Sequence, residues 1–169
     1  DAQKSDVNLS EIIHSVVNIV KPLSKYRNRD IIVDADSSIS ALGNEQEIKQ
    51  VALNLITNAL GCVEENGSVH IQLKQENNFA ELVVTDNGCG MTEKELRDML
   101  SVGYSDKDTT TGKHYGMGFK TSAPRLSAHA LLFTHRRGGD RTVGFLSEEL
   151  SEQLELDQTA VPQCSFDSE

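Results

Sequence analysis

Several features that define other classes of protein are scarce in this chain. Cysteine occurs three times in 169 residues, at 62, 89 and 164, with no CxxC pair. That scattered, odd set excludes a disulfide framework and points to reduced, cytosolic thiols. The histidines, at 14, 70, 114, 129 and 135, show no metal-ligand spacing, so a metal held by protein groups alone is not expected. No apolar run approaches the roughly 20 residues of a membrane span, and the polar N-terminus shows no signal-peptide pattern. Positive charge is in deficit: 16 Lys and Arg stand against 26 Asp and Glu, for a net charge of −10 and a pI of about 4.9. Nucleic-acid backbone is thereby disfavoured as a partner, because it demands clustered Lys and Arg. Internal repeats and low-complexity segments are also missing. What remains is the composition of a soluble globular domain, 37% hydrophobic and 25% charged, with residues 1–169 sized for one core.

Hydrophobic spacing predicts the elements. In NLSEIIHSVVNIVKPL, Leu9, Ile12, Ile13, Val16, Val17 and Val20 recur at helical intervals, and Asn8 with Glu11 makes a capping-box arrangement. DIIVDAD is a short strand, followed by SISALG. Asn44 and Glu47 cap a second helix, EQEIKQVALNLITNALGCV. SVHIQLKQ and NNFAELVVTD alternate as a hairpin joined through ENN. Thr92 and Glu95 cap a third helix, EKELRDML. Residues 102–118, VGYSDKDTTTGKHYGMG, form a long polar loop of the kind that serves function in compact domains. There follow a short helix FKTSAPRL broken at Pro124, a hairpin of HALLFTHR and RTVGFLS through RGGD, a helical acidic stretch EELSEQLELD, and a last strand within TAVPQCSFDSE before a tail over 163–169. This order predicts an α+β fold, a two-layer α/β sandwich whose mixed, mostly antiparallel sheet carries helices on one face.

Two places carry chemistry. In the second helix Gln50, Asn54 and Asn58 are spaced by four and share a face, apart from the apolar stripe of Ile48, Val51, Ala52, Leu55, Ile56 and Ala59. Asn is a poor mid-helix residue because its amide competes for backbone hydrogen bonds. The row is either a wet surface stripe or a set of neutral oxygen donors of the kind Mg²⁺ accepts beside phosphate and water. The second place is VVTDNGCGMT, where a strand ends in Asp86 and gives way to Gly88 and Gly90. On those residues alone Asp-Asn-Gly is turn chemistry. Cys89, between the glycines, reads as filler.

Taken in order, LNLITNAL, DNGCGM and GKHYGMGFK resemble the N box and the two glycine boxes of the GHKL ATPases. These include the ATPases of DNA gyrase, heat-shock chaperones and mismatch repair, together with the histidine kinases. The resemblance implies the Bergerat ATP-binding fold, with ATP or ADP and Mg²⁺ as ligands. It sets Asp86 against the adenine amine, where a buried carboxylate would accept the N–H and repel the carbonyl of guanine. Gly88 then removes a Cβ from the path of the base, Gly90 lets the chain turn away, and Met91 lines the pocket. Asn58 matches the metal-binding amide, with Asn54 beside it. Gly112, Gly116 and Gly118 match the second glycine box, where residues 102–118 would act as the ATP lid and backbone N–H groups cradle phosphates. Met117 and Phe119 flank the nucleotide there. Lys113 or Lys120 would bring positive charge to the β- and γ-phosphates, with Lys120 the better placed.

Residues 1–98 resemble the catalytic domain of a histidine kinase. The hydrolysing branches carry a Glu where Asn54 stands, and it activates water. Its absence favours phosphoryl transfer to another group, with Asn54 and Lys120 in the catalytic positions. The implied partners are a separate phosphoacceptor histidine domain and a response regulator, in the cytoplasm. His14 lacks the neighbours of a phosphoacceptor and reads as a helix-surface residue. Residues 102–162, with YGMGFKTSAPRL, ALLFTHRRGGDRTVGFLS and TAVP, resemble instead the Microrchidia (MORC) ATPases, which implies an ATP-gated clamp that forms a homodimer. Tyr104 and Tyr115 read as packing residues in either case.

Overall fold

The computed structural model describes residues 4–36, 38–100, 129–136, 139, 141–147 and 163–166. The chain divides into two compact units, Asp1–Gly88 and Cys89–Glu169. The fold is α+β with parallel and antiparallel pairing, and the described strands make three separate sheets.

The first unit runs β1 (Ser5–Asn8), α1 (Leu9–Val20), a 3-10 turn (Ser24–Tyr26), β2 (Asp30–Ala35), β3 (Ser40–Gly43), α2 (Glu45–Cys62), β4 (Ser68–Glu76) and β5 (Phe79–Asp86). Both long helices start where their polar caps dictate. Asn8 Oδ1 accepts from the Glu11 N–H at 3.2 Å, and Asn44 Oδ1 accepts from the Glu47 N–H at 3.0 Å. β4 is the central strand, parallel to β2 and antiparallel to β5. The parallel pair needs a crossover, and α2 lies within it. The β4–β5 hairpin turns on Asn77 and Asn78, at φ 46° and 67°. Two consecutive left-handed residues match the right-handed twist of the flanking strands, and Asn adopts that conformation more readily than most side chains.

The core of this unit is the meeting of α1 and α2 with one sheet face. Ile13 and Val16 of α1, Ile56 and Leu60 of α2, and Val69 and Ile71 of β4 are each at most 1% exposed. Ile31 and Val33 of β2 and Leu82 and Val84 of β5 pack against them. Each fully buried side chain of this size stabilises the fold by about 1.5–3 kcal/mol relative to exposure. Arg29 ties the 3-10 turn to the end of α2, donating from Nε to the Val63 carbonyl at 3.0 Å. Strands β1 and β3 pair antiparallel, Val7 opposite Ala41.

The second unit holds α3 (Glu93–Leu100) and the antiparallel strands β6 (His129–His135), β7 (Arg141–Ser147) and β8 (Gln163–Phe166), in the order β6-β7-β8. The cap of α3 is reciprocal: Glu95 N–H donates to Thr92 Oγ1 at 3.2 Å, and Thr92 N–H donates to Glu95 Oε2 at 2.7 Å. Leu96, on the inner side of that helix, is fully buried. The expected lid over 102–118, the helix FKTSAPRL and the acidic stretch EELSEQLELD lie outside the described residues. Among the described residues no helix is long and apolar enough to cross a membrane.

Candidate functional site

The spacing of four along α2 produces one continuous row: Gln50, Asn54, Asn58 and, last in the helix, Cys62. Gln50 Nε2 donates to Asn54 Oδ1 at 3.1 Å. Asn54 is half-buried and Asn58 exposed. Thr57, on the neighbouring row, returns its hydroxyl to the Leu53 carbonyl at 2.7 Å and, more weakly, to the Asn54 carbonyl at 3.3 Å.

Strand alternation aims the carboxylate. Ala80, Leu82 and Val84 of β5 lean on the core, and the same period of two carries Asp86 to that helix-facing side. Its cross-strand partner is Val69, wholly buried on the same face. Asp86 itself is exposed, where the family resemblance implied a buried carboxylate. As the terminal residue of β5 it stands at the margin of the core. One of its oxygens, Oδ1, accepts the Gly88 N–H at 2.9 Å.

Gly88 is glycine for a reason that the resemblance did not supply. A Cβ there would lie 2.5 Å from the Cys62 carbonyl oxygen and 2.7 Å from Asp86 Oδ1. The turn after β5 therefore lies directly against the last residue of α2. Asn58 is one helical turn back from that contact, roughly 6 Å along the axis, and Asn54 two turns back. The first unit thus brings three of the predicted residues, Asp86, Gly88 and Asn58, to the end of α2, with Asn54 behind them.

Gly90 and Met91 belong to the second unit. Gly90 has φ +66°, and a Cβ on it would fall 2.1 Å from the His135 carbonyl oxygen, so conformation and space both demand glycine. The Met91 N–H donates to Thr134 Oγ1 at 2.9 Å, which fastens this segment to the end of β6. The remaining predicted residues, Gly112, Lys113, Gly116, Met117, Gly118, Phe119 and Lys120, lie outside the described residues, as do Tyr104 and Tyr115. Among the described residues no cluster of His, Cys, Asp or Glu can hold a metal.

Chemically, the first unit offers a carboxylate with one oxygen committed to the backbone and the other left to accept an N–H, beside a helix row of amide oxygens. That donor set fits the amino edge of a purine and a hard cation that keeps phosphate and water ligands. One residue escaped the sequence reading: Asn87, whose side chain bonds the Ser68 N–H at 2.8 Å. The signal was present in the Asp-Asn-Gly turn, but its partner is 19 residues away.

Residues 46–167 match the family of histidine kinase-, DNA gyrase B-, and HSP90-like ATPases. The chain is 43% identical over 89 residues to the mouse MORC family CW-type zinc finger protein 3, an alignment covering 50% of this chain and 9% of that protein. It is 26% identical over 105 residues to the sensor protein DegM of a Bacillus strain, covering 62% of this chain and 28% of that one. Its fold is similar to the nucleotide-free catalytic domain of histidine kinase ThkA, with a TM-score of 0.66 at 21% identity, over 85% of this chain and 92% of that one. The chain therefore spans less than a third of either curated relative.

Proposed function

The chain belongs to the histidine kinase-, DNA gyrase B-, and HSP90-like ATPases, and from that premise we propose that it binds ATP with Mg²⁺ and passes the γ-phosphoryl group to a histidine on a separate domain. The observation that carries the reading is the junction at the end of α2. There a strand-terminal carboxylate on the core side of the sheet meets the helix that bears Asn54 and Asn58, through a glycine lying on the Cys62 carbonyl. Asp86 accepts the adenine amine, and Asn58 would hold the cation, which would supply charge neutralisation. In the second glycine box, Gly112, Lys113, Gly116, Met117, Gly118, Phe119 and Lys120 hold the phosphates.

Asn54 decides the reaction type. Its amide oxygen takes the Gln50 hydrogen bond, and an amide has no basicity with which to activate water. Transfer to a positioned acceptor requires mainly alignment and charge neutralisation, which this site can supply without a base. The phosphorus–oxygen bond to the ADP leaving group breaks, a bond to an acceptor imidazole nitrogen forms, and the imidazole proton passes to solvent. A phosphoacceptor domain and a response regulator are then the partners, in the cytoplasm.

A second reading is an ATP-gated dimerising clamp, favoured by the 43% identity to the mouse MORC protein. One experiment separates the two. Binding of ATP and GTP is measured by calorimetry with and without Mg²⁺, while light scattering follows the oligomeric state. The kinase reading expects ATP-selective, Mg²⁺-dependent binding by a monomer that phosphorylates an added phosphoacceptor domain. Dimerisation on ATP without such transfer would establish the clamp instead. Unchanged ATP affinity in Asp86→Asn would overturn both.

A further inference from the structure

The end of β5 is not closed as an ordinary strand end. In the antiparallel register Val69 faces Asp86, so Ser68 and Asn87 form the next pair. Half of that pair is conventional: the Asn87 N–H donates to the Ser68 carbonyl at 3.2 Å. The other half is not. The Ser68 N–H donates to Asn87 Oδ1, at 2.8 Å, where a continuing strand would offer its main-chain carbonyl. The side chain stands in for its own backbone. The main chain is thereby released from the sheet one residue after Asp86, and Gly88 turns back to give its N–H to Asp86 Oδ1 at 2.9 Å.

We propose that Asn87 is a positioning residue for adenine recognition: its amide oxygen closes the β4–β5 ladder and so fixes the direction in which Asp86 presents its second oxygen. The proposal rests on Asp86 as the adenine acceptor. Two bonds bracket the carboxylate, Asn87 to Ser68 on one side and Gly88 to Asp86 on the other. Without the first, the Ser68 N–H loses its partner, and the turn keeps the single Asn87 N–H bond to the Ser68 carbonyl, the Gly88 bond to Asp86 and the contact of Gly88 with the Cys62 carbonyl. The carboxylate then samples more than one direction. A single charged hydrogen bond to a base amine is steeply sensitive to direction, so selectivity for adenine suffers before the fold does. Asn87 is exposed and at the margin of the unit, so its replacement removes little packing.

The test uses the full chain and the ratio of ATP to GTP affinity. Asn87→Asp keeps an oxygen at the bonding position and should retain the parent ratio. Asn87→Ala and the shape-matched Asn87→Leu lose it, and the ratio should fall about tenfold, the equivalent of about 1.4 kcal/mol, through weaker ATP binding with GTP affinity unmoved. A purely structural role would instead lower the urea midpoint and leave the ratio intact at temperatures well below unfolding, and that result overturns the proposal. If Asn87→Ala does not fold, Asn87→Leu decides alone. Asp86→Asn is measured in parallel. Its loss of ATP binding together with an unmoved ratio in Asn87→Leu would sink this inference only, whereas its full retention of ATP binding would sink the adenine reading beneath it.

Discussion

Helices α1 and α2 are packed on the same sheet and capped by the same device, an Asn whose oxygen takes the N–H three residues on, yet they differ in what their remaining positions do. Seven of the twelve residues of α1 are buried, and on its exposed side Glu11 serves the helix's own cap, accepting from Asn8 Nδ2 at 3.1 Å. Only five of the eighteen residues of α2 are buried, and a full row of the rest is amides ending at the glycine turn. A helix whose only task is the core has no use for such a row. Asn costs several tenths of a kcal/mol against Ala at each mid-helix position. The difference separates a helix spent on the core from one that keeps a polar row for the proposed ligand.

Four expected outcomes bear on that contrast. The largest effect belongs to α1: Ile13→Ala, which empties a site 1% exposed, should lower stability by about 3 kcal/mol, read as a shift of the urea midpoint. Calorimetry on the folded protein should find ATP affinity unchanged, and a loss of affinity would mean α1 also shapes the site. The caps come next. Asn8→Ala and Asn44→Ala should each cost about 1 kcal/mol, and the two helices should respond alike, since here they are built alike.

The asparagine row should behave in the opposite sense. Asn58→Ala should gain about 0.5 kcal/mol of stability while weakening ATP binding more in the presence of Mg²⁺ than in its absence. Equal losses with and without the cation would remove Asn58 from the metal role. Asn54→Ala should gain less, because it also breaks the bond from Gln50. The smallest effect lies at Asp36, beyond the end of β2. The Ser38 N–H, and after it the Ser38 hydroxyl, hold the Asp36 carboxyl below its ordinary value of 3.8. A folded value depressed in this way contributes stability above the unfolded value and loses it as the pH falls through the folded one. Asp36→Asn should remove that small contribution at neutral pH and leave stability below the folded value unchanged, so that the acid limb of the profile flattens slightly.

Much of this architecture was legible because its signals are local. The pairs Asn8 with Glu11, Asn44 with Glu47 and Thr92 with Glu95 fixed three helix starts, and the alternation in SVHIQLKQ and FAELVVTD fixed the hairpin. Strand β1 was not legible: Ser5–Asn8 holds a single buried apolar residue, Val7, too little for any period. Nor was the parallel alignment of β2 with β4, since no short-range pattern distinguishes a parallel neighbour from an antiparallel one. At the site, Asp86, Gly88 and Gly90 could be read as a motif, but the reason for each glycine could not. Gly88 is dictated by a carbonyl at the end of α2 and Gly90 by a carbonyl at the end of β6, both remote in sequence.

The central place of β4 also carries a kinetic consequence. Its ladder with β5 closes over a two-residue loop, whereas its ladder with β2 must wait until everything from residue 36 to residue 67 has been gathered. Short loops close early and long ones late, so the hairpin is the expected nucleus and the β2 edge the last seam to zip. Substitutions in the hairpin should accordingly slow refolding, while those along Asp30–Ala35 should mainly quicken unfolding, a division that stopped-flow chevrons would reveal.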